Sequence, residues 1–255
     1  MKNMDIAKEN LKHYNLKEEL PSNYYDCVEK TIEKVFDILG DNILSITLGG
    51  SAGKKDIHSG WSDIDLFFII NEYEMEKIIE FNEKCNEQDL IHVGTSFYTL
   101  KEVEKNIVSY KTKVMIYEKY KYNLNPTLYG KDYYIPVTYE TIRSNDIHNF
   151  PSIYQDYKKM IMELKSDKVK PSRTHIKKML LLLKCILNFH NIFSFGYEEV
   201  LLKFTTLCRE FHFSLTKKRG IDIIALIDDF DNLELYKDEI VEFSDEIFNF
   251  IDKFC

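Results

Sequence analysis

Two short segments carry residue types that can do chemistry, Gly49-Gly50-Ser51 and Ser62-Asp63-Ile64-Asp65-Leu66. Glycine lets a backbone come close to a phosphate, and successive N–H groups in a turn make an anion-binding concavity. Two aspartates at i and i+2 of a strand point to the same side, where they repel one another unless a cation lies between them. Mg²⁺ suits such a pair, because it takes one or two carboxylates and completes its shell with water and substrate phosphate. A phosphate cradle beside paired carboxylates is the equipment of metal-assisted phosphoryl or nucleotidyl transfer. Each segment alone is common, since glycine pairs mark ordinary turns and an Asp-x-Asp also occurs at solvent-facing strand ends. Together they make Gly49, Gly50, Ser51, Lys54 and Ser62 the candidate nucleotide-binding residues, with Asp63 and Asp65 as metal ligands. Lys55 is a second source of positive charge.

The elements that must position these residues can be read from the hydrophobic pattern. Residues 43–48 and 63–70 have the length and the Ile/Leu/Phe content of buried strands, and the glycine loop follows the first of them. Residues 24–39 place Val28, Ile32, Val35, Phe36 and Leu39 on one helical stripe, with residues 21–23 as a cap region and Gly40 as the stop. Residues 72–86 read as a charged helical connector, 90–98 as a third strand, 100–108 as a short helix and 114–117 as a fourth strand. Composition shifts near Pro136, and from Tyr139 onward the pattern is helical, most clearly over 175–189, 197–211 and 235–254. The expectation is an α/β (α+β) chain, with a mixed sheet and flanking helices over residues 1–135 and an α-helical bundle over 136–255.

Bulk properties narrow the function classes. A net charge of −8 argues against binding nucleic acid through global charge and suits a cationic partner. No apolar stretch reaches membrane-spanning length, and residues 1–5 are polar, without a signal sequence's apolar run. The cysteines Cys27, Cys85, Cys185, Cys208 and Cys255 show no CxxC spacing, which fits a reducing cytoplasm better than a disulfide frame or a zinc site.

The glycine loop and the Asp63-Ile64-Asp65 segment resemble the signature of the polymerase-β-like nucleotidyltransferase superfamily. Residues 51–63 look closest to its small antibiotic-modifying and minimal bacterial members. Residues 97–103 resemble a strand-to-helix passage of kanamycin-type enzymes, and 128–132 resemble the segment that closes the catalytic domain. The resemblance implies ATP, or another nucleoside triphosphate, held by the glycine loop, with one or two Mg²⁺ ions on Asp63 and Asp65. A nucleoside monophosphate would pass to a hydroxyl of a small, aminoglycoside-like acceptor, and the helical half would bind that acceptor or a partner. RNA or protein acceptors, as in toxin–antitoxin systems, are the runner-up within the enzyme class.

The chain departs from the resemblance at one position. Relatives place a third carboxylate on the next strand, and here that strand offers His92, Gly94, Ser96 and Tyr98. Three readings stand open: His92 joins the site, a base comes from Asp156 or Glu163 in the helical half, or the chain binds nucleotide without transferring it. Arg143 and His148 match an R-x4-H spacing resembling that of HEPN ribonucleases, but Asn145, Asp146, Asn149 and Pro151 read as a turn there. His175, His190 and His212 lack metal-ligand spacing, and Trp61 reads as a packing residue.

Overall fold

In the computed structural model, which describes residues 7, 14–86, 91–215, 226 and 230–255, the chain divides between Thr138 and Tyr139 into two units. Residues 1–5 and Leu90, which entered the sequence reading, lie outside the described residues.

The first unit begins with a short helix α1 (Leu16–Glu19) and the long helix α2 (Ser22–Leu39). Gly40 ends α2 in a left-handed conformation (φ 52°), its N–H returning to the Phe36 carbonyl, as a residue without a β-carbon can do cheaply. Then follow β1 (Ile43–Gly49), a single helical turn α3 (Gly50–Lys54), β2 (Ile64–Ile70), α4 (Met75–Asn86) and β3 (Val93–Thr99). A short α5 (Leu100–Glu104), α6 (Tyr110–Tyr122) and β4 (Thr127–Gly130) complete the unit. The strands form one mixed sheet in the order β3-β2-β1-β4, with β2 parallel to β3 and antiparallel to β1, and β1 antiparallel to β4.

The period-2 alternation of β2 decides what each face of the sheet does. Ile64, Leu66, Phe68 and Ile70 pack with Val28, Ile32 and Val35 of α2 and with Phe81 and Cys85 of α4. Phe68 is fully buried, stacked 4.7 Å from Phe97 and edge-on to Phe81, and burying such a side chain is worth about 1.5–3 kcal/mol. Phe67 and Ile69 point the other way, into a smaller cluster with Met115 and Ile116 of α6 and Ile135. Asp65 has the parity of Phe67 and Ile69, so it continues the face that α6 covers.

Two expectations for this unit are corrected. Residues 114–117 are not a strand; they lie inside α6, and the fourth strand is Thr127–Gly130. An apolar run of four residues has no period of its own, and here Ser109 caps a helix, its side chain accepting the Thr112 N–H at 3.2 Å. The helix expected over 100–108 stops at Glu104, and Asn106 is left-handed (φ 57°). Its start is a capping box, with Thr99 N–H bonding Glu102 Oε2 at 2.8 Å and Glu102 N–H returning to Thr99 Oγ1.

The second unit is helical: α7 (Tyr139–Lys165), α8 (Arg173–Phe189), α9 (Tyr197–Glu210), a 3₁₀ segment (Phe230–Tyr236) and α10 (Lys237–Phe254). The turn expected near Asn145–Pro151 is instead the interior of α7, with Pro151 inside the helix. A tertiary partner overrides the local preference. Asn188 of α8, fully buried, donates to Asp146 Oδ2 at 2.5 Å and accepts from Tyr139 Oη at 3.0 Å and from Arg143 Nε at 3.1 Å. Arg143 is thus engaged with Asn188, while His148 of the same helix is exposed. Burial and the Asp146 carboxylate push the neighbouring Cys185 thiol up to about 12. Among the described residues no helix is long and apolar enough to cross a membrane.

Candidate active site

Asp65 lies in the second strand of the sheet with a glycine opposite it on each side, Gly49 on β1 and Gly94 on β3. These glycines keep the surroundings of the carboxylate clear. A β-carbon at Gly94 would stand 2.8 Å from Asp65 Oδ1, and one at Gly49 would stand 2.6 Å from the sulfur of Met115. Gly50 is left-handed (φ 62°), and a β-carbon there would overlap Asp65 Oδ2. The carboxylate is therefore bracketed, Oδ2 by Gly50 and Oδ1 by Gly94. The cation it faces is Lys111 of α6, whose Nζ is 2.6 Å from Oδ1.

The loop is fixed from behind by a buried polar cluster. Asn125, fully buried and left-handed (φ 54°), donates its N–H to the Gly53 carbonyl at 2.8 Å. Its side-chain amide donates to the Met115 carbonyl at 3.0 Å and to Glu118 Oε2 at 3.3 Å. The other carboxylate oxygen of Glu118 is 4.0 Å from Lys54 Nζ. Gly53 is obligatory here, since a β-carbon would come within 2.5 Å of both Asn125 Oδ1 and the Leu48 carbonyl. Asn125→Ala is expected to cost about 1–3 kcal/mol, because it removes these donors from a buried carboxylate and carbonyl and puts alanine at positive φ. Denaturant unfolding of the variant checks this.

The segment between loop and strand is a closed turn. Asp56 N–H bonds the Ser51 carbonyl at 2.9 Å, and His58 N–H bonds Ser62 Oγ at 3.0 Å. The Tyr24 hydroxyl of α2 donates to the Ser62 carbonyl at 3.0 Å. Trp61, itself part of the turn with its N–H bonded to the His58 carbonyl, is fully buried. The Ser62 hydroxyl thus acts in the turn that delivers Asp63 to the strand.

The sequence-predicted residues fall as follows. Gly49, Gly50, Asp63 and Asp65 come together at one end of the β1 and β2 pair, with Asp63 one residue outside β2 and both aspartates partly exposed. Ser51 is in the turn that follows Gly50. The two lysines after the loop are turned elsewhere, Lys54 to Glu118 and Lys55 to Glu19 at 3.1 Å. His92 is exposed just before β3, and its carbonyl accepts the Ile64 N–H. Asp156 is exposed on α7 of the helical unit, and Glu163 of the same helix lies near His175, whose pKa burial lowers.

Among the described residues no group of three His, Cys, Asp or Glu is placed to hold a metal ion. Two carboxylates on a floor kept clear by glycines still fit Mg²⁺, which takes its remaining ligands from water and phosphate. Lys111 was missed by the sequence reading. The local signal is Ser109, which caps α6 by accepting the Thr112 N–H, and a strand over 114–117 leaves no helix there to start.

Residues 8–122 match the family model described as "Nucleotidyltransferase domain". Among solved structures, the chain resembles spectinomycin adenyltransferase AAD(9) from Enterococcus faecialis at a TM-score of 0.51 and 12% identity. That likeness covers 85% of this chain and 97% of the other. No curated protein matches the chain in sequence. Residues 8–122 are thus similar to nucleotidyltransferase domains, and the chain shares the fold of an adenyltransferase of known structure.

Proposed function

We propose that this chain is a Mg²⁺-dependent adenylyltransferase that moves AMP from ATP onto a hydroxyl of a small, cationic, aminoglycoside-like acceptor. The observation that carries this reading is Asp65, bracketed by Gly50 and Gly94 and facing Lys111. In this reading the backbone of Gly49, Gly50 and Ser51 holds the triphosphate, and Asp63 and Asp65 hold the metal. The ion would supply Lewis-acid polarisation of the α-phosphate and would lower the pKa of the acceptor hydroxyl. The protein's own part is placement. The Asn125 cluster fixes the loop, the Tyr24-anchored turn fixes Asp63, and the sheet fixes Asp65, so little reorganisation accompanies reaction. The acceptor class is supported by the resemblance to a protein whose structure holds ATP and spectinomycin and by the net charge of −8. The helical unit, residues 139–255, is assigned to acceptor binding in the same proposal.

A second reading, a nucleotide-binding module without transfer, is favoured by one observation, the absence of a three-residue metal cluster among the described residues. Calorimetric titration with ATP, with and without Mg²⁺, separates the two when wild type is compared with Asp63→Asn. For the enzyme, binding is expected to tighten with Mg²⁺ in wild type, and Asp63→Asn is expected to lose most of that gain. Metal-independent binding with no pyrophosphate release in an acceptor screen would leave the module.

A further inference from the structure

Lys111 stands where its own helix disfavours it. It is the second residue of α6, whose first turn carries no acidic side chain. The positive end of the helix dipole repels a cation there. Ser109 already caps the helix, so Lys111 is not needed to start it. What the position gives is reach to Asp65, 46 residues earlier in the chain, at 2.6 Å. The contact is open rather than locked, since the lysine side chain is 72% exposed while that of Asp65 is 23% exposed. Its atom partner is Oδ1, the oxygen on the Gly94 side, and Oδ2 is enclosed by Gly50. A lysine is a compact charge on a flexible four-carbon stem, suited to exchanging one anionic partner for another.

We propose that Lys111 is the resident counter-ion of the nucleotide site: it neutralises Asp65 while the site is empty and moves onto the triphosphate when nucleotide and metal arrive. The inference rests on the nucleotide-site reading above and adds a positioning residue to it. Before substrate binds, the ammonium offsets the repulsion between Asp63 and Asp65 and competes with free divalent metal. With nucleotide and Mg²⁺ bound, Asp65 would be held as a metal ligand, and Lys111 would find its best partner in the phosphates, which bring several negative charges. The exchange couples metal binding to nucleotide binding, so free metal alone loads the site more weakly than metal that arrives with nucleotide.

Two affinities test this without reference to turnover: Mn²⁺ titrated into nucleotide-free protein, and ATP titrated in EDTA. They are measured for wild type, Lys111→Met, Lys111→Arg and, as a control for lost charge, the exposed Lys105→Met. Lys111→Met is expected to bind Mn²⁺ up to about fivefold more tightly and metal-free ATP up to about fivefold more weakly, the upper end of what one partly exposed charge pair contributes. Lys111→Arg should restore ATP affinity, and Lys105→Met should match wild type. Unchanged Mn²⁺ affinity in Lys111→Met overturns the counter-ion, and unchanged ATP affinity overturns the transfer to phosphate. Wild type that binds no ATP under any condition defeats the nucleotide-site reading itself. Wild type that binds ATP while Lys111→Met behaves identically defeats only the role of Lys111.

Discussion

Asp65→Asn is expected to lower nucleotidyl transfer by about 10²–10³-fold or more, with little change in folding. The substitution keeps shape and volume, and the register of Asp65 between Gly49 and Gly94 depends on backbone bonds that asparagine also makes. What disappears is the negative charge. An amide oxygen is a weaker Mg²⁺ ligand than a carboxylate, and the amide cannot accept a charge-assisted bond of the same strength from Lys111. The stability cost should be under about 1 kcal/mol, because the lysine end of the pair is largely in water. Thermal unfolding and steady-state pyrophosphate release, measured on the same preparation, separate the two effects. A variant that melts like wild type and releases pyrophosphate at the wild-type rate would overturn the proposed role of Asp65 as a metal ligand.

The β1–loop–β2 unit was legible in the sequence because its signals are local and mutually consistent. Apolar runs of strand length flank a glycine pair, and the two aspartates interrupt a strand that otherwise reads as core. The helix α2 was legible through a single apolar stripe and the glycine that ends it. The α6 helix was not, because its apolar residues occur as one run of four among lysines and tyrosines, and a run that short carries no period. With α6 misread, Lys111 could not be found, since its partner is distant in sequence and only the fold brings them together. Lys54 is a related case. Its position after the glycine loop reads as that of a phosphate ligand, while its partner in the fold, Glu118 at 4.0 Å, lies on that same helix and is not visible from the loop. The α7 interior was read as a turn because Asn145, Asp146, Asn149 and Pro151 each favour one locally. The buried Asn188 that holds Asp146 and Arg143 in helical positions is invisible from that segment alone.

Gly50→Ala is expected to reduce transfer by about 10²-fold and to cost about 1–3 kcal/mol of stability, with the two losses arising separately. The stability loss comes from the backbone. Gly50 has φ 62°, and an L-residue in that region is disfavoured by about 1–2 kcal/mol. The activity loss comes from the new β-carbon, which would overlap Asp65 Oδ2 and stand 3.0 Å from its Cγ. The carboxylate then has to rotate away from the loop, and on its other side Oδ1 has only the clearance that Gly94 provides. Gly94→Ala is the informative companion, because it presses on the opposite oxygen at 2.8 Å and is not at positive φ. Its stability cost should be the smaller one, while its effect on transfer should approach that of Gly50→Ala. Unfolding curves and pyrophosphate release for both variants decide the matter. If Gly50→Ala loses stability but turns over normally, glycine is required at that position only by the chain reversal, and the enclosure of Asp65 has no catalytic consequence. If both variants lose turnover while only Gly50→Ala loses stability, the two glycines share one task, which is to hold a single carboxylate in a single orientation.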